Sequence, residues 1–313
     1  MNTLTIETAQ ANRKSLLSSL MGKASRILTG WAPASISMLP EEAAMEALRD
    51  LPQDGGADAL WFVLGRKVNG LFRYECLESM PHILTAGTTG SGKSVFLNML
   101  IASLVYRHTP ETLKIGFVDY ARVEFAKYKK LPHLLGSVQH TIEGAAELIT
   151  DALQEMEHRL DIFEQKEVVS LSEYNKVSKT PLPRWVLVID EFATLIDLAR
   201  KGSKEDKLQA QIFEKNLNAL AAVARKTGIH LILATQKPLA NIVDSVLKSN
   251  LPARVAFKVS TQTDSRVILD ENGAENLTGK GDLLFKSPYD PNLERMRGVY
   301  ISDDALKTLI QGG

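Results

Sequence analysis

Cysteine is nearly absent, with only Cys76 in 313 residues. An internal disulfide framework is therefore excluded; a lone thiol fits a reducing compartment, and its ordinary role is that of a small buried apolar side chain. Net charge is absent too. The 37 basic and 37 acidic residues cancel, so no global field marks the chain as a binder of nucleic acid or membrane, and any grip on a polyanion must come from local placement of charge. No apolar run reaches the roughly 20 residues that a spanning helix needs, and the chain does not open on an apolar stretch with a small-residue cleavage site. A cytoplasmic protein is expected. Internal repeats and low-complexity tracts are also lacking.

What is present is a hydrophobic content of 44%, enough for a sizeable core in one large domain or two smaller ones. Residues 13–28, RKSLLSSLMGKASRIL, place Leu16, Leu17, Leu20, Ala24, Ile27 and Leu28 on one helical face, with basic residues around it. Such a helix can lie on anionic lipid or pack on the main domain or a neighbouring subunit. A second short helix is expected in PEEAAMEALRDL, and QDGGAD at 53–58 then reads as a linker. The resulting division is a helical N-terminal segment and linker, 1–57, followed by a main domain, 58–313. From Leu60 onward, strand-like runs (LWFVLG, HILTAG, LKIGFVDY, RWVLVIDE, IHLILATQ, ARVAFKVS) alternate with helical stretches at Lys93 to Arg107, Ile142 to Lys166 and about Lys207 to Arg225. That alternation predicts an α/β fold with a mainly parallel sheet covered by helices.

One stretch carries chemistry on its face. HILTAGTTGSGKSVFLNML matches G-x-x-x-x-G-K-[ST] as Gly87, Gly92, Lys93 and Ser94, with a strand before it and a helix after it. Gly87, Thr88, Thr89, Gly90, Ser91, Gly92, Lys93, Ser94 and Val95 would form a loop whose backbone N–H groups cradle nucleotide phosphates at a helix N-terminus. Lys93 would reach the β- and γ-phosphates and Ser94 would help hold Mg²⁺. RWVLVIDEF supplies an acidic strand end. Asp190 is expected beside Mg²⁺, and Glu191 is placed to orient or deprotonate the attacking water; alone, the pair could equally begin a helix as a cap. Gln236, ending IHLILAT, could sense the γ-phosphate or be an ordinary strand-end amide. Asp119 and Glu124 suit either a supporting role at the site or helix capping. His82 and His133 lack paired metal-ligand spacing and read as structural.

Taken together, MPHILTAGTTGSGKS, PHLL at 132–135, EMEHR at 155–159, VLVIDEFATL, ARKTGIHLILATQKP, LPARVAFKVS and DSRVILDENGAENLTGKGDLLF resemble, in order, the motor core of the FtsK/SpoIIIE family, within the wider HerA-type ATPases. The resemblance covers roughly residues 60–300. It implies a RecA-like P-loop NTPase fold, a ring of six subunits, and ATP hydrolysis coupled to movement of double-stranded DNA through a central channel. Carried over by position, Arg225 matches an arginine expected to reach a neighbour's ATP; read from the residues alone, it ends a helix favourably. Arg254 matches a second family arginine, serving an interface or a structural ion pair. Lys237, Lys248 and Arg266 match basic positions that would contact DNA phosphates without reading sequence.

The chain also departs from the family pattern. Asp119, Tyr120 and Ala121 stand where D-P-K is usual, Lys237 where arginine is usual, and Gln262 where a basic residue is common. The last residues resemble the end of the motor core, and no winged-helix domain is expected after them. The 57 upstream residues are short for an anchored extra domain, so the expectation is a minimal motor or part of something longer. The alternative function is a conjugation-coupling or protein-secretion ATPase of the same superfamily.

Overall fold

The computed structural model describes residues 41–54 and 59–311; the basic helix read at 13–28 and positions 55–58 of the linker lie outside the described residues. The described residues form nine strands in one sheet: β1 (Trp61–Lys67), β2 (Phe72–Cys76), β3 (His82–Ala86), β4 (Leu113–Asp119), β5 (Arg184–Asp190), β6 (Ile229–Thr235), β7 (Ala253–Phe257), β8 (Asp282–Lys286) and β9 (Leu293–Arg297), in the order β2-β1-β9-β8-β7-β3-β6-β5-β4. The helices are α1 (Glu41–Arg49), α2 (Lys93–Arg107), α3 (Ile142–Gln165), α4 (Leu171–Val177), α5 (Phe192–Lys201), α6 (Lys204–Val223), α7 (Ser245–Asn250), α8 (Gln262–Leu269) and α9 (Asp303–Gln311).

The parallel expectation holds for half the sheet. Strands β7, β3, β6, β5 and β4 run parallel, and all are buried along their length except at Lys114 and Trp185, as strands covered on both faces are. The remaining strands add an antiparallel part that the sequence reading does not specify. β1 pairs antiparallel with β2 and β9, and β8 pairs antiparallel with β7 and β9. Short connections dictate this: the turn between β1 and β2, closed by Gly70 N–H donating to Lys67 O at 2.9 Å, has no room for a crossover.

Two apolar cores flank the sheet. On one face α1, α2 and α9 pack on Phe62, Ile115, Phe117 and Phe257; on the other α3, α5 and α6 pack on Leu84, Leu187, Ile189 and Leu231. Helix α2 is buried almost all round, as its apolar sequence requires. Helices α3 and α6 begin at side-chain caps, Thr141 accepting from Gly144 N–H and Ser203 forming a reciprocal box with Asp206. The PHLL segment covers the β4 edge, with Ile115 N–H donating to His133 O at 2.8 Å and Leu135 N–H to Ile115 O at 2.9 Å.

The rear rim of the parallel strands is built from buried polar groups. Arg159 on α3, wholly buried, lies over the Trp185 ring and donates to Glu155 and to Thr227 O, each at 2.7 Å. It thereby pins the 3₁₀ turn Ala224–Thr227. His82 and His230 begin adjacent strands: His82 Nδ1 accepts from Leu231 N–H at 3.0 Å, and His230 Nδ1–H donates to Pro81 O at 3.1 Å. Burial lowers the pKa of His82 to about 3 and those of His108 and His230 to about 4.

These imidazoles are neutral in the fold and take up protons near pH 6.5 once unfolded, so stability is present above that value and drains as pH falls toward about 4. His230→Gln should flatten the loss between pH 6 and 4.5 by up to about 1.4 kcal/mol per pH unit, one proton's worth. Urea denaturation of both proteins across that range checks it; parallel curves would refute it.

Candidate active site

Three buried strands end at one rim. β3 runs into the glycine loop, β5 into Asp190 and Glu191, and β6 into Gln236. Their parallel register, Ala86 opposite Thr235 and Ile189 opposite Leu233, brings these ends level.

The loop is held by backbone contacts from both sides. Gly87 N–H donates to Thr235 O at 3.2 Å, Thr88 N–H to Lys258 O at 2.9 Å and Ser91 N–H to Thr88 O at 3.0 Å. Gly90 and Gly92 take φ of 74° and 112°, where a side chain would be strained. Gly92 has a second reason. A Cβ on it would meet Gly281 N at 2.5 Å, because the 279–281 turn lies against the loop, with Gly281 N–H donating to Ser91 O at 2.7 Å. This docking is what the GKGD block contributes, and it was not apparent from sequence. Gly92 caps α2, no side chain caps that helix, and its first turn carries no acid. The helix N–H groups and the positive end of its dipole are thus uncommitted to protein anions, which fits a phosphate ligand.

Lys93 is buried between two acids. Its Nζ donates to Asp190 Oδ1 and, at 2.9 Å, to Glu191 Oε1. Burial pushes the ammonium's pKa down, and the two carboxylates more than offset this, leaving it above the ordinary lysine value. Burial likewise lifts Asp190 above the usual carboxylate range, against the pull of Lys93. Glu191 sits in left-handed backbone at φ 54°, a conformation that β5 and α5 impose on their junction. Its carboxylate accepts Gln236 N–H at 3.1 Å, and the Gln236 side chain in turn accepts the Thr89 hydroxyl at 2.6 Å. The acid, the third strand end and the phosphate loop are therefore linked directly. Ser94 Oγ–H donates to Glu124 Oε1 at 2.6 Å. Asp119 instead accepts Phe125 N–H at 2.9 Å, supporting the segment that carries Glu124.

The remaining candidates lie elsewhere. Arg225 is exposed on the 3₁₀ turn just before β6, the full length of that strand from Gln236, or about 23 Å at 3.3 Å per residue. Its own loop is out of reach. Beside it, Lys226, Arg184 and Ser172 line a shallow cavity. Lys237 is exposed next to Gln236, and Arg266 is exposed on α8. Lys248 on α7 is half-buried and donates to Asp270 at 2.6 Å. Arg254 also pairs with Asp270 and donates to Lys248 O at 3.1 Å and Leu251 O at 3.3 Å, so it ties α7 and α8 to β7.

Fold and loop together define a P-loop nucleoside triphosphatase. A model of the FtsK/SpoIIIE family matches residues 45–240. The DNA translocase FtsK of Streptococcus pneumoniae is 41% identical over 258 residues, 79% of this chain and 32% of that protein. That of Halalkalibacterium halodurans is 36% identical over 298 residues, 91% of this chain and 36% of that protein. The chain belongs to the FtsK/SpoIIIE family, and it spans about a third of the length of these relatives. Among solved structures, the pCW3 conjugation coupling protein TcpA, in a monomer form with ATPgS, superposes with a TM-score of 0.72 at 26% identity, covering 95% of this chain and 85% of that one. The cytoplasmic domain of the Thermomonospora curvata type VII secretion ATPase EccC shares the fold, with a TM-score of 0.72 at 22% identity over 88% of this chain and 34% of that one. Among the described residues, no helix is long and apolar enough to cross a membrane.

Gly92→Ala should destabilise the protein by about 2 kcal/mol or more, from left-handed strain plus displacement of the 279–281 turn. Chemical denaturation measures this. A loss under 0.5 kcal/mol would mean that the turn docks loosely.

Proposed function

We propose that residues 58–313 are an ATP-driven motor that moves double-stranded DNA through a ring of six subunits. One observation carries the reading. The buried trio Lys93, Asp190 and Glu191 occupies one rim of the parallel strands, while Arg225, exposed and without an ion-pair partner among the described residues, occupies the opposite rim. A head-to-tail ring would bring one subunit's rear rim to the next one's phosphate loop.

In this reading the loop residues 87–95 bind the phosphates. Ser94 and Asp190 would hold Mg²⁺, a hard cation suited to hydroxyl and carboxylate oxygens, which when bound neutralises phosphate charge. Lys93 neutralises the transferring phosphoryl group. Glu191, backed by Gln236 N–H, orients and deprotonates water, and Gln236 relays the state of the loop through Thr89. Arg225 supplies its charge in trans. Lys237, Lys248 and Arg266 face DNA phosphates, Lys248 with its charge already shared with Asp270. The coupling or secretion alternative draws on the likeness to TcpA; an ATPase rate indifferent to duplex DNA would favour it.

The test is ATPase rate without polymer, with duplex and with single strands, duplex being expected to stimulate most. Lys93→Ala should weaken nucleotide binding and stop turnover, whereas Glu191→Gln should keep ATP bound and lose about 10²- to 10⁴-fold in rate. Wild-type turnover by Glu191→Gln would refute its role.

Mixing tests the shared site. Lys93→Ala subunits retain Arg225, and Arg225→Ala subunits retain a working loop, so inactive preparations should recover activity when combined. The expected loss in Arg225→Ala alone is about 10³- to 10⁵-fold. Mixed rings containing both proteins but showing no recovery would sink the model.

A further inference from the structure

The sequence leaves Glu124 open between a supporting role at the site and helix capping. It lies between β4 and the 3₁₀ turn Ala126–Tyr128, and its carboxylate accepts the Ser94 hydroxyl. The segment that presents it is firmly anchored. Asp119 Oδ2 accepts Phe125 N–H at 2.9 Å, and the fully buried Phe125 packs on Phe117, with ring centroids 4.7 Å apart, and on Tyr128 at 6.1 Å. The Tyr128 hydroxyl then donates to Asn98 Oδ1 at 2.8 Å. Ser94 and Asn98 are four residues apart on one face of α2, and Glu124 and Tyr128 are four apart on the facing segment. Two hydrogen-bonded rungs therefore fasten the start of the helix to this segment, one apolar-sided and buried, the other at the edge of the phosphate loop.

The outer rung has a chemical consequence. A hydroxyl carries one proton and two lone pairs. Ser94 commits its proton to Glu124, and Asp190 Oδ1 is engaged by Lys93. The Ser94 lone pairs are then left for a cation. We propose that Glu124 is a positioning residue of the metal site, holding the Ser94 hydroxyl with its proton turned away from Mg²⁺ and its lone pairs toward it. This rests on the reading of residues 87–95 as a nucleotide site.

Partners that orient a metal ligand typically account for about 10- to 100-fold in metal affinity. Binding of a slowly hydrolysed ATP analogue is measured across a Mg²⁺ titration and in EDTA. Glu124→Ala is expected to raise the Mg²⁺ midpoint about 10- to 100-fold while leaving metal-free affinity unchanged. Glu124→Gln, which keeps an acceptor oxygen in place, is expected to fall between alanine and wild type. Tyr128→Phe removes the inner rung and is expected to leave the midpoint where it was. In a Ser94→Ala background, Glu124→Ala is expected to add no further shift.

An unmoved midpoint in Glu124→Ala, an equal shift from Tyr128→Phe, or a full additional shift without the Ser94 hydroxyl overturns the proposal. If the alanine variant does not fold, Glu124→Gln decides, and a wild-type midpoint there overturns it. Failure of the unaltered protein to bind the analogue at any Mg²⁺ concentration removes the nucleotide-site reading and this proposal with it, a result distinct from binding with an unshifted midpoint.

Discussion

Everything at the front rim depends on the register of four parallel strands. Asp119 stands opposite Asp190, Ile189 opposite Leu233 and Ala86 opposite Thr235. A slip of one residue would move a strand end by about 3.3 Å and turn every side chain to the other face. Lys93 could then no longer lie between Asp190 and Glu191, nor could Gln236 N–H reach Glu191. The register is secured by residues with no chemistry of their own, the buried runs Val186–Ile189 and Leu231–Ala234. The trio they align is poorly explained as a stabilising device, since taking an ammonium and two carboxylates out of water costs about as much as their attraction returns. Its geometry makes better sense as a site than as a staple.

The phosphate loop was legible in the sequence because backbone geometry restricts its residue types. Left-handed Gly90 and Gly92 leave little choice at those positions, and the apolar run of β5 ending in two acids signals a strand emerging from a core. The antiparallel half was harder to see. FRYEC and LERMR are half-exposed and rich in charge, so β2 and β9 lack the continuous apolar signature of their parallel neighbours, and only pairing across the chain makes them strands. The same holds for contacts between distant segments. Nothing local in DENGAENLTGKGD indicates that Gly281 will press on Gly92, nor does LPARVAF indicate that Arg254 will share Asp270 with Lys248. Glu124 was visible as an acid after a strand, but its partner, Ser94, lies thirty residues earlier.

The rear rim supplies a different kind of order. Buried Arg159, with its bond to Thr227 O and its stack on Trp185, fixes a turn that carries the exposed residues Arg225 and Lys226. A long side chain reaching out from a mobile base would lose much of its effect to entropy; one on a pinned turn is pre-organised for whatever it meets.

The docking of the 279–281 turn onto the glycine loop also joins segments far apart in the chain. The loop precedes α2 and most of the sheet in the chain, yet the backbone that buttresses Ser91 and Gly92 comes only after seven of the nine described strands have begun. Domains generally fold as units rather than strand by strand. A chain that stops short of the 279–281 turn therefore has a phosphate loop that lacks one wall. Any chain lacking that turn leaves Ser91 O without its backbone donor and Gly92 without the backbone that packs on it.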